Sequence, residues 1–212
     1  MNDTTRTRHA PDEHDELDEA LAAPVDAATL HALHEHLAAD ADREHLLDVA
    51  YTVMQTPVGA LLLATTRLGL VRVAFAAEGH DQVIAALARL VSPRILESRS
   101  ALEGASRQLE EYFAGERRSF DVPVDLRFAH GFRRGVLEHL RQIPYGHTES
   151  YAVVAEATGS PRAVRAVGSA CATNPLPVVV PCHRVVRSDG GLGGYLGGTA
   201  AKEYLLRLES AA

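Results

Sequence analysis

The alternation of hydrophobic and polar positions divides the 212-residue chain into three regions with different predicted structures. Residues 1–48 are acid-rich. We expect disorder up to about residue 22, followed by one or two amphipathic helices, because leucines recur there near a helical period. In residues 49–128, apolar stretches separated by the turn signals "TPVG" and "RLG" predict a β-hairpin or meander. Two helical patterns, "DQVIAALARLV" and "ASRQLEEYFAG", follow, so this region is expected to be a small α/β domain.

Residues 129–212 carry mainly helical patterns. Helices are predicted over "GFRRGVLEHL" and "ESYAVVAEATG", the second closed by Gly159. Ser160 then stands at a cap position, and Pro161 is expected to open a third helix, "PRAVRAVGSACATN". Two short helices joined by a Gly-Ser-Pro turn are typical of a helix-turn-helix. The predicted fold class is therefore an α/β N-terminal domain followed by a mostly α C-terminal domain.

The composition predicts a soluble globular protein, since 46% of the residues are hydrophobic and 23% are charged. No apolar run approaches the roughly 18–20 residues that span a bilayer, and we expect no contact with a membrane. The N-terminus lacks the apolar segment of a signal peptide. Two cysteines cannot build a disulfide scaffold. A reduced, cytoplasmic protein is therefore expected.

The net charge of −7 is distributed unevenly along the chain. Residues 1–50 hold 13 acidic side chains against 3 lysines and arginines, whereas the remaining residues hold 15 against 18. The body of the protein is therefore mildly basic, which is compatible with nucleic-acid binding but does not establish it.

The helix predicted from Pro161 has two different faces. One face carries two arginines and a serine: Arg162, Arg165 and Ser169. Cys171 falls on an apolar face and is interpreted as a small core residue. From the pattern alone, the arginine face is either solvated surface or a contact surface, and the small Ala163 beside it would allow close approach to a partner.

The second cysteine, Cys182, has the surroundings of a nucleophile. The run "PVVV" before it predicts a short buried strand that ends at Pro181. A free thiol has a pKa of about 8.5, and a neighbouring base or cation lowers it. His183 follows directly, and Glu203 and Glu209 come later on a predicted helix, so a Cys–His–carboxylate relay could activate the sulfur. Neighbours on a strand point to opposite faces, so the relay needs a bridging water or a turn. A structural cysteine beside a surface histidine is the alternative.

A family resemblance adds to this interpretation. The segment "PCHRVVRSDGGLGGY" resembles the active-site signature of the O6-alkylguanine-DNA alkyltransferases, or methylated-DNA–protein-cysteine methyltransferases. The similarity extends through "SYAVVAEATGSPRAVRAVGSACATNPLPVVVPCHRVV" and includes "KEYLLRLE". It covers residues 130–210 strongly and residues 49–125 more loosely, and residues 1–48 lie outside it. The resemblance implies a ribonuclease H-like N-terminal domain and a helix-turn-helix DNA-binding domain.

The resemblance also implies the catalytic roles. Cys182 would accept the alkyl group from guanine O6 as a thioether, in a reaction that each molecule performs once. His183 would act through a water as the base, and Glu209, not Glu203, would orient it. Asn174 would tie the recognition helix to the active-site segment.

Substrate and DNA contacts are implied in the same way. The residues expected to line the base pocket are Tyr151, Tyr195, Pro177 and Val185. Arg165 would fill the gap left in the duplex by the flipped base. The residues expected to contact DNA beside it are Arg162, Ala163 and Ser150. The implied partner is double-stranded DNA containing O6-alkylguanine, bound by a monomer through the minor groove. Activity on O4-alkylthymine stays open.

No cofactor or metal is expected. Some members of the family bind zinc through cysteines in the N-terminal domain, and this chain has none there. Four histidines of the N-terminal region approach helical spacing: His31, His34, His36 and His45. We interpret them as part of a solvated helix in preference to a metal site.

Two other functions are compatible with parts of the pattern. A non-catalytic binder of alkylated DNA, of the alkyltransferase-like type, would share the helix-turn-helix but lack the acceptor cysteine, which is present here as Cys182. A thiol hydrolase using Cys182 and His183 would need an oxyanion hole that the sequence does not identify.

Overall fold

The computed structural model describes residues 26–44 and 46–210. Its first part contains a four-stranded sheet in the order β3-β2-β1-β4. The strands are β1 (Val49–Met54), β2 (Leu61–Thr66), β3 (Gly69–Phe75) and β4 (Ile95–Glu97). The first three form an antiparallel meander, as predicted, and β4 pairs with β1 in parallel.

The central strand β2 shows why an uninterrupted apolar run suits this sheet. Successive side chains of a strand point to opposite faces. Leu61 and Leu63 pack into a core cluster on one face, whereas Leu62 and Ala64 pack into a second cluster on the other. The helix α2 (His80–Leu90) covers the second face, and α3 (Glu103–Phe113) packs against the first. The region is therefore an α/β unit with helices on both faces of the sheet.

A helix precedes the sheet, as its leucine spacing predicts. This helix, α1 (Ala27–Arg43), begins after Asp26, whose carboxylate accepts the backbone N–H groups of Ala28 and Thr29 at 2.9 Å. Ala38 is buried, and Glu35 accepts the backbone N–H of Arg99 at 3.2 Å. The predicted disorder up to about residue 22 and the side chains of His31 and His45 lie outside the described residues.

The second part of the chain is mostly helical. Its elements are α4 (Gly131–Leu140), β5 (Glu149–Ser150), α5 (Tyr151–Ala157), α6 (Val164–Ala172), β6 (Val185–Val186) and α7 (Gly198–Ser210). The strand β5 pairs in parallel with β6. One hydrophobic cluster joins both parts, since it contains Leu63 and Tyr112 of the α/β part together with Val180 and Leu205 of the helical part. Among the described residues, no helix is long and apolar enough to cross a membrane.

The predicted start of the third helix is wrong by three residues. Ser160 and Pro161 belong to a turn in which the Ala163 N–H donates to the Ser160 carbonyl at 2.8 Å, and α6 starts only at Val164. Arg162 therefore precedes the helix, while Arg165 lies within it. Because the Ser160 carbonyl accepts the Ala163 N–H within the turn, it does not depend on a helical hydrogen bond for its partner.

The predicted strand before the active cysteine is also wrong. The valines are buried, but the segment from Pro175 to Val180 forms turns, closed by a bond of 2.7 Å from the Val180 N–H to the Leu176 carbonyl. Val178 adopts a positive φ of 74°, a strained conformation for a β-branched residue. The two prolines of the segment lack the N–H groups that a strand ladder needs. The turn leads directly into a short 3₁₀ turn over Cys182–Arg184.

Candidate active site

The side chain of Asn174 holds Cys182 in place. Asn174 follows α6 and is fully buried. Its Nδ2 donates to Cys182 Sγ at 3.1 Å and to the Val180 carbonyl at 2.8 Å, and its Oδ1 accepts the Leu176 N–H at 3.0 Å. One amide therefore fixes both the buried turn and the sulfur at its end.

Burial has the largest effect on the ionisation of the Cys182 thiol. The residue is 2% exposed, and burial raises its pKa to about 11. The hydrogen bond from Asn174 and the charge of Lys202 act in the opposite direction but do not outweigh burial. Neighbouring groups therefore lower the pKa of the thiol, as the sequence led us to expect, but burial reverses the net direction.

The 3₁₀ turn places His183 next to the carboxylate predicted from the resemblance. His183 Nε2 lies 2.9 Å from Glu209 Oε1, whereas Glu203 is exposed on the same helix. Because a carboxylate only accepts, we assign the proton to Nε2, which leaves Nδ1 as the basic nitrogen. Nδ1 is buried and has no hydrogen-bond partner in the described part of the protein. Burial lowers the pKa of His183 against the opposing effect of Glu209, so the imidazole is neutral at neutral pH.

The Glu209 carboxylate is an anion held by several donors. Arg184 donates from Nε to Oε2 at 2.9 Å and from a terminal nitrogen to Oε1 at 2.8 Å, and the Gly146 N–H donates at 3.2 Å. Burial alone would raise the pKa of Glu209, but the bonds from His183 and Arg184 lower it to about 2. The histidine therefore faces a permanent negative charge.

Two further residues of the site were missed from the sequence. Lys202 is fully buried on α7, and its Nζ donates to the Val185 carbonyl at 2.6 Å. Tyr112 on α3 is also fully buried, and its hydroxyl donates to Glu209 Oε1 at 2.7 Å. Both stand three residues from a buried leucine on their own helix, which was a signal of burial, but nothing local indicates their partners.

The residues predicted to line the base pocket lie on several different elements. The ring of Tyr195 packs edge-on against His183, with centroids 6.3 Å apart, and its buried hydroxyl has no hydrogen-bond partner among the described residues. The Tyr151 hydroxyl lies against Gly193, where an added Cβ would be 2.8 Å away. Pro177 is buried in the turn, and Val185 belongs to β6. The four residues therefore come from α5, the buried turn, β6 and the glycine-rich loop of residues 187–197.

The residues expected to contact DNA lie at the start of α5, in the turn that follows it and on α6. Arg162 and Arg165 are exposed, and Ala163 is partly buried. Ser150 caps α5, since its hydroxyl accepts the Val153 N–H at 3.2 Å. The two arginines thus form a basic surface that is separate from the buried relay.

The arrangement suits nucleophilic chemistry by a thiol. A buried sulfur with an amide donor, a neutral imidazole and a permanent carboxylate are the components of a proton relay. The described residues contain no group of three or more His, Cys, Asp or Glu side chains placed to hold a metal ion.

Comparisons with known proteins agree with this chemistry. Residues 49–126 match the family model of the 6-O-methylguanine DNA methyltransferase ribonuclease-like domain, and residues 131–211 match that of its DNA binding domain. A methylated-DNA–protein-cysteine methyltransferase of Methanosarcina acetivorans is 41% identical over 159 residues, which cover 75% of this chain and 97% of the relative. The constitutive enzyme of that name from Bacillus subtilis is 39% identical over 163 residues, covering 75% of this chain and 94% of the relative.

Solved structures show the same similarity. The crystal structure of the Mycobacterium tuberculosis O6-methylguanine methyltransferase is 38% identical in sequence and has a TM-score of 0.68. The matched region covers 77% of this chain and 93% of the mycobacterial chain. A structure of Mycobacterium tuberculosis OGT in complex with DNA has the same identity, a TM-score of 0.66, and covers 76% of this chain and 93% of its own.

Proposed function

The chain belongs to the methylated-DNA–protein-cysteine methyltransferase family, and from this premise we propose that it repairs DNA by moving an alkyl group from O6-alkylguanine to Cys182. The observation that carries the proposal is the buried Cys182 thiol, held by Asn174 beside the His183–Glu209 pair. A cysteine placed only for packing would need neither the amide donor nor the carboxylate-bound imidazole.

The proposed reaction balances as a single displacement. The thiol proton passes to His183 Nδ1 through a bridging water, and the sulfur attacks the alkyl carbon. The carbon–O6 bond breaks as the sulfur–carbon bond forms, and the proton is returned to the departing guanine. Glu209 stabilises the transient imidazolium, since its pKa of about 2 keeps it ionised. The thioether is a stable bond, so each molecule reacts once.

The high pKa of the thiol determines when the proton leaves. At a pKa of about 11, very little thiolate exists at neutral pH. Proton transfer to His183 must therefore accompany the attack of the sulfur on the alkyl carbon, when the alkylated guanine is already bound. Asn174 and Lys202 both favour the thiolate, so they stabilise the negative charge that develops on the sulfur during attack.

The base must be extruded from the duplex and must reach a covered sulfur. Flipping costs a few kcal/mol, and because Cys182 is 2% exposed, the residues around it must move aside. We assign α5 and α6 as a helix-turn-helix that enters the minor groove. Arg165 would fill the gap in the base stack. The residues that would contact the DNA backbone beside it are Arg162, Ala163 and Ser150.

The same premise gives the domain organisation. We assign residues 49–128 to a ribonuclease H-like domain and residues 129–212 to the DNA-binding and active-site domain. The antiparallel meander with a parallel fourth strand supports the first assignment. The succession of α5, a short turn and α6 supports the second.

An intact-mass measurement tests the proposal. We expect the protein to gain the mass of one methyl group after incubation with a duplex containing O6-methylguanine, and we expect Cys182→Ala to gain none. Cys171→Ala is the matched control, because it removes the other buried thiol and should still be methylated. Tight binding without a mass gain would instead identify a non-catalytic binder.

The role of Arg165 has a separate test. Arg165→Ala is expected to slow transfer from a duplex far more than transfer from free O6-benzylguanine, because only the duplex needs a filled gap. Arg162→Ala is the control, since it removes an equal charge from the turn before α6. Equal slowing of both substrates by Arg165→Ala would contradict the assignment.

A further inference from the structure

A side chain of the α/β domain reaches the His183–Glu209 pair. Tyr112 lies near the end of α3, fully buried, 97 residues before Glu209 in the sequence. Its hydroxyl donates to Glu209 Oε1 at 2.7 Å and lies 3.5 Å from His183 Nε2. The hydroxyl and the imidazole therefore share one carboxylate oxygen.

Tyr112 is held rigidly in this position. Its ring packs against three aromatic rings, those of Phe113, Phe120 and Tyr145, at centroid distances of 5.2–6.1 Å. Burial and the adjacent Glu209 raise the pKa of its phenol far above the ordinary value, so the hydroxyl stays protonated. It is thus a permanent neutral donor to Glu209.

The Tyr112 hydroxyl adds a neutral donor to an oxygen that already accepts from His183 and Arg184, and this changes what the histidine experiences. The hydroxyl draws negative charge away from the Nε2–H contact, and it orients the carboxylate that fixes the histidine tautomer. Arg184 differs from Tyr112, because it is a cation that bonds both carboxylate oxygens, whereas the hydroxyl is a neutral donor to Oε1. The ionisable groups that face His183 are Tyr112, Cys182, Arg184, Tyr195, Lys202 and Glu209.

We propose that Tyr112 is a positioning residue of alkyl transfer, through which the α/β domain sets the orientation and basicity of His183. The inference rests on the proposed function, because it assigns His183 as the base. It gives the N-terminal domain a part in the chemistry, although the sequence of that domain contains no catalytic motif.

The test compares two tyrosine-to-phenylalanine variants of the full-length protein. Tyr112→Phe removes the donor to Glu209. Tyr145→Phe removes a hydroxyl of the same aromatic cluster that donates to the Leu208 carbonyl at 3.1 Å instead. Both variants keep their rings, so a general packing effect should appear equally in both.

The first readout is nuclear magnetic resonance of His183, which does not depend on activity. With one donor fewer on Glu209, the Nε2–H bond strengthens. The Nε2 proton is therefore expected to move downfield in Tyr112→Phe but not in Tyr145→Phe. The pKa of His183 is expected to rise by about 0.5–1 unit, the equivalent of one hydrogen bond. Unchanged resonances in Tyr112→Phe, or equal changes in both variants, would overturn the inference.

The second readout is the single-turnover rate against pH. Neutral His183 is the base, so its higher pKa moves the acid limb of the profile of Tyr112→Phe to higher pH. On that limb, transfer is expected to be about three- to tenfold slower than in the wild type. An unshifted limb in a folded Tyr112→Phe protein would also overturn the inference. If the wild type gains no methyl group, the proposed function fails, and the resonance experiment still decides whether Tyr112 positions His183.

Discussion

Replacement of Asn174 by alanine should damage stability and reactivity together, because one buried amide serves both. The substitution removes the donor to Cys182 Sγ, one donor to the Val180 carbonyl and the acceptor of the Leu176 N–H. The Val180 carbonyl keeps the Cys182 N–H at 2.8 Å. Leu176 is fully buried, so its N–H loses its acceptor and cannot reach water.

The size of both effects follows from these contacts. A buried unsatisfied donor costs about 1–3 kcal/mol, and the space left by the carboxamide adds about 1 kcal/mol. We therefore expect the Tm to fall by roughly 5–15 °C, at about 2–4 °C per kcal/mol for a chain of this size. A hydrogen bond to a charged group is worth about 1.5–3 kcal/mol. Loss of the bond to the developing thiolate should therefore slow transfer about 10- to 100-fold.

Calorimetry and single-turnover alkylation measure the two effects separately. Thr173→Ala is the matched control, because its hydroxyl donates only to the Ser169 carbonyl at the same helix end. It should change the free energy of unfolding by about 0.5 kcal/mol or less. If folded Asn174→Ala transferred the methyl group at the wild-type rate, the role assigned to the amide at the sulfur would be refuted. A wild-type Tm would refute its role in holding the turn.

Three further predictions concern charge and space around the site. Folding lowers the pKa of Glu209 from 4.5 to about 2, so the ionised carboxylate stabilises the fold at a pH above 4.5. Acid titration followed by circular dichroism should show this stabilisation being lost as the pH falls from 4.5 towards 2. In Glu209→Gln, that loss should be absent. Lys202→Met should slow transfer about tenfold at neutral pH, because the thiol pKa rises without the cation. An unchanged rate of transfer in Lys202→Met would contradict this prediction. The free energy of unfolding of the variant should stay within about 2 kcal/mol of the wild type, since a buried charge is also removed. Gly193→Ala should lower the Tm, because its φ is +67° and the new Cβ would lie 2.8 Å from the Tyr151 hydroxyl, whereas Gly194→Ala meets nothing within 4 Å and should be tolerated.

Much of the fold was predictable from local pattern. The meander of β1, β2 and β3 follows from short apolar stretches between turn signals, and the helices follow from periodic apolar positions. The resemblance indicated His183 and Glu209, which the structure brings within 2.9 Å of each other. These features depend on side chains that are close in sequence, or on a motif that can be identified in the sequence itself.

The turn before Cys182 shows where local pattern fails. The run "PVVV" is apolar because it is buried, and burial alone does not distinguish a strand from a turn. The Asn174 side chain bonds both the Leu176 N–H and the Val180 carbonyl of this turn, in which Val178 has a φ of 74°. The segment leads into the 3₁₀ turn that holds both Cys182 and His183, where the sequence predicts that a strand ends.

The sequence by itself determined the β-meander, most of the helices and the chemical types that meet at the site: a thiol, an imidazole and a carboxylate. Only the tertiary structure decided that burial raises the pKa of the thiol to about 11, and that Tyr112 and Lys202 belong to the site. The physical reason is that elements arise from contacts between near neighbours. Desolvation and hydrogen-bond partners instead depend on groups that folding brings together from distant parts of the chain.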